Sequence, residues 1–124
     1  KGEVFVHRRT STKDLFPGMH DLFVGGVVES GESYDEAAAR RLAVEVKVTG
    51  VQPEFICCHL HQGARSRAWI HIYRIFWDGP MEYDSDNIEW TGWVPLNELD
   101  LWVCRTSVVP MGLDCFFAYQ DTVK

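Results

Sequence analysis

The run Glu3-Val4-Phe5-Val6-His7-Arg8 carries the alternation of a strand. Nothing precedes it, and Lys1-Gly2 reads as the turn of a hairpin whose first strand lies before the sequence. Thr10 to Gly18 is a loop closing on Phe16-Pro17-Gly18, and His20 to Val28 is a second extended segment broken at Gly25-Gly26. The period then changes. Ser33 and Glu36 form the Ser-x-x-Glu pair of a capping box, which satisfies two amides that a helix start leaves unbonded. Asp35 suits the positive end of the helix dipole. Ala37, Ala38, Ala39 and Leu42 are strong helix formers, so the helix is expected to reach about Val46, with Gly50 as terminator.

Phe55 to His61 and Arg67 to Trp77 read as two strands joined through Gly63. Asp78-Gly79-Pro80 is a break, Ile88 to Val94 a further strand, and Pro95 to Leu99 a short helical turn. Val109 to Tyr119 is apolar throughout and reads as a terminal helix after Pro110. Strands around one central helix, with a second helix at the end, predict an α/β fold: a mixed sheet sandwiched between helices. No repeat or linker divides the chain, so residues 1–124 are expected to form one domain.

Bulk properties narrow the function. The longest apolar run falls well short of the ~18 residues of a membrane span, so no membrane partner is expected. A formal net charge of −6 disfavours nucleic acid, which selects an excess of Lys and Arg. His7, Arg8, Arg9 and Lys13 still leave room for a local basic patch. Cys57, Cys58, Cys104 and Cys115 match no zinc spacing and no small disulfide scaffold. Free or buried thiols in a reducing, intracellular compartment are the expectation, whether cytosol or an organelle matrix.

Residues 26 to 48 read GVVESGESYDEAAARRLAVEVKV. This stretch resembles the signature of the Nudix hydrolases, which runs Gly, five residues, Glu, seven residues, then Arg-Glu-aliphatic-x-Glu-Glu-x-Gly-aliphatic. Gly26, Glu32, Arg40, Leu42, Glu45 and Val48 stand at the expected spacings, while Arg41, Val44 and Lys47 replace Glu, Glu and Gly. The resemblance covers nearly the whole chain. Thr12-Lys13, Phe16-Pro17-Gly18-Met19, Gly25-Gly26, Asp78-Gly79-Pro80 and Ile88-Glu89-Trp90 through Trp93-Val94-Pro95 are similar to the branch that includes isopentenyl-diphosphate isomerase. That branch relies on a Cys near Leu22 to Gly26, and none stands there, which argues against isomerase activity.

The resemblance implies a Nudix fold and a loop-helix-loop that holds magnesium or manganese against a diphosphate. Such hard cations need several oxygen ligands. The family's three glutamates share one helix face, at positions that here hold Arg41, Val44 and Glu45. Glu45 is thus the metal ligand, if there is one, and Glu45 with Glu32 are the catalytic candidates. Gly26, Arg40 and Leu42 carry structural roles, with Glu32 and Arg40 clamping loop to helix. Arg41 would repel a divalent cation. Either its guanidinium replaces the metal, or Arg41 and Glu45 form an exposed i,i+4 pair worth ~0.3–0.5 kcal/mol. A further acid is expected near Ile88. The neighbourhood is Asp84-Ser85-Asp86-Asn87, where Asn87 holds its place and Asp86 or Glu89 can substitute.

Two other groups stand out. His59 and His61 face the same side of one strand, and His71 lies in the neighbouring strand, so the three are either a zinc set or simply the lining of a sheet face beside Cys57. Trp69, Tyr73 and Trp77 share one strand face and are expected in the core or rim, one of them available to stack on a base. The reading is a Nudix-fold domain with a degenerate box, a pseudoenzyme or weakly active module for ligand binding or protein assembly, without a required cofactor. The alternative is a magnesium- or manganese-dependent hydrolase of a nucleoside-diphosphate-linked compound.

Overall fold

The computed structural model describes residues 2–12, 16–63, 67–83 and 85–123. The readings that fall on Lys1, residues 13–15, residues 64–66 and Asp84 lie outside the described residues. The chain forms two compact units, one from Lys1–Phe23 and Asp84–Leu113, the other from Val24–Tyr83 and Asp114–Lys124.

In the first unit, β1 (Glu3–Arg9) pairs antiparallel with both β2 (His20–Asp21) and β5 (Ile88–Pro95), giving the order β2-β1-β5. The period-two pattern sends Val6 into the core with Ile88 and Val94. Gly2 accepts a hydrogen bond from Leu96 at 2.7 Å, so the chain start is bound to the end of β5. Only His20 and Asp21 of the expected extended segment are strand, because the backbone beyond them finds side-chain partners instead: the Asp21 carboxylate accepts from the Leu22 and Phe23 amides. Burial pushes the Asp21 carboxyl up, against the opposing charge of His7. The turn after Pro95 does not stop at Leu99. It continues through a 3-10 turn, Leu96–Glu98, into α2 (Leu99–Arg105), whose Leu99 and Val103 are buried at i,i+4 spacing.

The second unit holds α1 (Tyr34–Val46) and the antiparallel pair β3 (Glu54–Gln62) and β4 (Arg67–Arg74). β4 ends three residues earlier than the pattern suggests. Val46, Val48, Ile72, Cys115 and Phe116 are buried here. α1 stops at Val46 as expected, but Gly50 does not end it. Lys47 is the C-cap in the left-handed conformation, φ 58°, with its amide bonded to Ala43. The terminal helix α3 (Pro110–Val123) begins in the first unit and continues in the second.

Candidate functional site

The loop before α1 and the first turns of that helix are built by short-range hydrogen bonds. Ser33 Oγ accepts from the Glu36 amide at 3.1 Å, and the Glu36 carboxylate accepts from the Ser33 amide at 2.8 Å. This is the reciprocal box its spacing implies. Just before it, Glu32 accepts from Arg40 Nε at 2.7 Å, from Arg40 Nη2 at 3.1 Å and from the Glu29 amide at 3.0 Å. Arg40 also donates to the Val27 carbonyl at 3.0 Å. Both Glu32 oxygens are thereby engaged, and the Arg40 guanidinium holds the Glu32 carboxyl below its ordinary value. The geometry is that of a clamp between loop and helix.

Arg41 is the adjacent residue and turns elsewhere. Its Nε donates to the Gly25 carbonyl at 3.2 Å and its Nη2 to the Glu45 carboxylate. The two side chains keep only 26% and 13% of their surface exposed, so this is not an isolated solvent pair. Gly26 has a local reason to be glycine: a Cβ there would meet Arg41 Nε at 2.6 Å and Cζ at 3.0 Å. Val44 is exposed and offers no side-chain oxygen, and its carbonyl accepts from Lys47 Nζ at 3.3 Å. Leu42 is half-buried.

A magnesium-type ion takes about six oxygen ligands. Here the one box carboxylate left for it is bonded to a guanidinium, and no three His, Cys, Asp or Glu side chains among the described residues form a metal-binding group. The residues as they stand do not fit that ion.

Of the acids near Ile88, Glu89 pairs with Arg8 at 3.0 Å. The backbone carbonyls of Asp86 and Asn87 accept from Thr10, which ties this loop to the end of β1, and Asp84 lies outside the described residues. His7 is buried and its Nε2 donates to the Phe23 carbonyl at 2.8 Å, so of the four residues of the possible basic patch His7 is turned inward and Arg8 is paired, while Lys13 lies outside the described residues. His59 and His61 do share a face. Both reach Asp114 Oδ2, at 2.9 and 2.7 Å, and the His61 hydrogen bond holds the Asp114 carboxyl below its ordinary value. His71 lies on the opposite face of the hairpin, stacked on Tyr34 at 3.5 Å between ring centroids, so the three histidines do not converge. Of the tryptophans placed in core or rim, Trp69 is 64% exposed, and Trp77 lies beyond the strand. Sequence reasoning missed Asp114, 53 residues from His61, and the Tyr73–Asp35 hydrogen bond, which with burial pushes the Tyr73 hydroxyl up to about 12. Neither contact has a local signal.

Comparison with known proteins now gives this geometry a family. The NUDIX domain model matches residues 1–110. A protein of Streptomyces coelicolor named an uncharacterised Nudix hydrolase is 39% identical over 118 residues, covering 94% of this chain and 65% of its own length. The chain thus spans just under two thirds of that relative. Among solved structures, DR0079 of Deinococcus radiodurans superposes with a TM-score of 0.79 at 21% identity, over 99% of this chain and 76% of that one. The Nudix domain of Shewanella oneidensis NrtR, solved with ADP ribose, gives 0.73 at 17% identity, over 98% and 78%. These likenesses establish the α/β Nudix fold, and the match over most of the sequence establishes that the chain belongs to the Nudix family.

Proposed function

We propose that this domain takes a nucleoside-diphosphate-linked compound at the loop and helix of its box, and that cleavage of the diphosphate linkage is its activity. The observation that carries the reading is the match to the NUDIX model across residues 1–110. The hydrolase name of the Streptomyces relative and the Glu32–Arg40 clamp add to it. Because the match runs through both compact units, it also supports treating residues 1–124 as one domain. Four free thiols support an intracellular setting. Among the described residues no helix is long and apolar enough to cross a membrane.

A second reading rests on one bond. Arg41 engages Glu45, the last of the three box carboxylates, and a module so altered binds its ligand without cleaving it or serves an assembly with a protein partner. The segments similar to isopentenyl-diphosphate isomerase support kinship with that branch and not its reaction, since residues 22–26 hold no Cys.

The test is a panel of ADP-ribose, nucleotide sugars and dinucleoside polyphosphates, each incubated with magnesium or manganese and followed for nucleotide release. Parallel calorimetry reports binding. Release supports hydrolysis, binding without release supports a module that binds without cleaving, and the absence of both release and binding overturns ligand recognition at the box.

A further inference from the structure

The acidic, glycine-rich seat beside α1 already holds a cation, and that cation is a side chain. Three observations define the seat. The Gly25 carbonyl and the Glu45 carboxylate both accept from Arg41. The bare Cα of Gly26 leaves the space that Arg41 Nε and Cζ fill. Arg41 and Glu45 are both sheltered, at 26% and 13% side-chain exposure.

We infer that Arg41 is the resident cation of the box: its guanidinium occupies the seat made by Gly25, Gly26 and Glu45, and a divalent cation and this guanidinium exclude each other there. The chemistry supports mutual exclusion. A carbonyl and a carboxylate are the oxygen donors a hard divalent ion selects, and here both are given to N–H groups. A guanidinium has no deprotonated form within reach, so the seat cannot be freed by pH, only by moving the side chain. Repulsion between the fixed charge and an incoming ion acts at contact distance in a partly sheltered site, where water screens it least. The planar fork spans two acceptors at once, which a lysine ammonium would not do with the same geometry.

The inference deepens the reading of the box as ligand site and rests on it for functional meaning. Its test uses the metal alone, so a failed ligand screen and a failed cation test are separate results. Manganese binding is measured by electron paramagnetic resonance of the free ion, for the unmodified chain, Arg41→Ala and Arg41→Glu. The unmodified chain is expected to show no saturable site in the millimolar range. Arg41→Glu, which removes the cation and adds a carboxylate one turn from Glu45, is expected to bind manganese at least about tenfold tighter. That gain should vanish when Glu45→Gln is added, which ties it to the seat. Arg41→Ala should fall between. Saturable binding by the unmodified chain equal to that of the variants overturns the inference, and so does the absence of a gain in both. Should circular dichroism show that the variants do not fold, nitrogen-15 NMR of the unmodified chain decides. An Arg41 Nε–H protected from exchange and unmoved by magnesium supports the seat, and one exchanging like a solvated arginine overturns it.

Discussion

Arg40 and Arg41 are neighbours on one helix and each ends on a glutamate, but they do different jobs. Arg40 reaches back eight residues to Glu32 and on to the Val27 carbonyl, so its bonds hold the loop in place. Arg41 reaches forward one turn to Glu45 and sideways to Gly25, so its bonds fill the space the loop encloses. Successive helix positions differ by about 100° in direction, which is why adjacent arginines face different partners. Scaffold and occupant of the box are thus separable, and substitution at residue 41 changes the occupant while the scaffold stands.

Breaking the scaffold should have the largest effect. Glu32→Ala removes the acceptor for Arg40 and for the Glu29 amide together. We expect a lower melting temperature, and faster hydrogen exchange and proteolysis within residues 25–32. Equal exchange in variant and parent would show that the loop is held by something else. Acid should act in the same direction. Arg40 lowers the folded-state carboxyl of Glu32, and the His61 hydrogen bond lowers that of Asp114. A lowered folded value stabilises above the unfolded value, near the ordinary ~4 of a carboxyl, and the contribution is lost as pH falls through the folded one. Asp114→Asn should therefore flatten the acid limb of a plot of urea midpoint against pH. An unchanged limb would remove Asp114 from the account.

The occupant should matter less to stability. A double-mutant cycle on Arg41→Ala and Glu45→Ala is expected to give a coupling of about 1 kcal/mol or more, as a partly sheltered charged hydrogen bond does. An exposed i,i+4 pair gives about 0.3–0.5 kcal/mol, and a result in that range would return Arg41 to the surface. Next comes the cap that starts the helix. Ser33→Ala should cost about 1 kcal/mol by thermal unfolding, and no change would mean that the Glu36 amide finds another acceptor.

What the sequence made legible was local. The capping box is a three-residue spacing, the β3–β4 pair is a hairpin, and the Glu32–Arg40 clamp follows from a signature, so each could be stated before any coordinates. The α2 helix was legible too, in the i,i+4 spacing of Leu99 and Val103, but was read as ending where it begins. The pairings of Asp114 with His59 and His61 were not, because they join residues more than fifty apart through tertiary packing alone. The side on which His71 lies is not legible for a related reason. A register shift between Phe55 and Cys57 sets which β3 residues oppose which β4 residues, and a bulge leaves no reliable mark in a single sequence.

The end of the same helix offers the smallest and most local test. The signature places Gly at residue 47, and this chain has Lys47 at φ 58° as the C-cap. A residue with a Cβ pays a steric cost of about 1 kcal/mol or more in the left-handed region, and glycine does not. Glycine loses more chain entropy on folding, which returns part of that difference. Among the described residues the side-chain bond lost is a surface one, Lys47 Nζ to the Val44 carbonyl at 3.3 Å. Lys47→Gly is therefore expected to stabilise by about 0.5 kcal/mol, read as a raised urea midpoint at unchanged slope. The amide bond from residue 47 to the Ala43 carbonyl remains available to the variant. Because the bonds of residue 47 run to the Val44 and Ala43 carbonyls and not to the seat, manganese binding should stay as it is in the unmodified chain. A gain in stability with altered metal binding would show that scaffold and occupant are coupled through the helix end, and the separation drawn from Arg40 and Arg41 would fail.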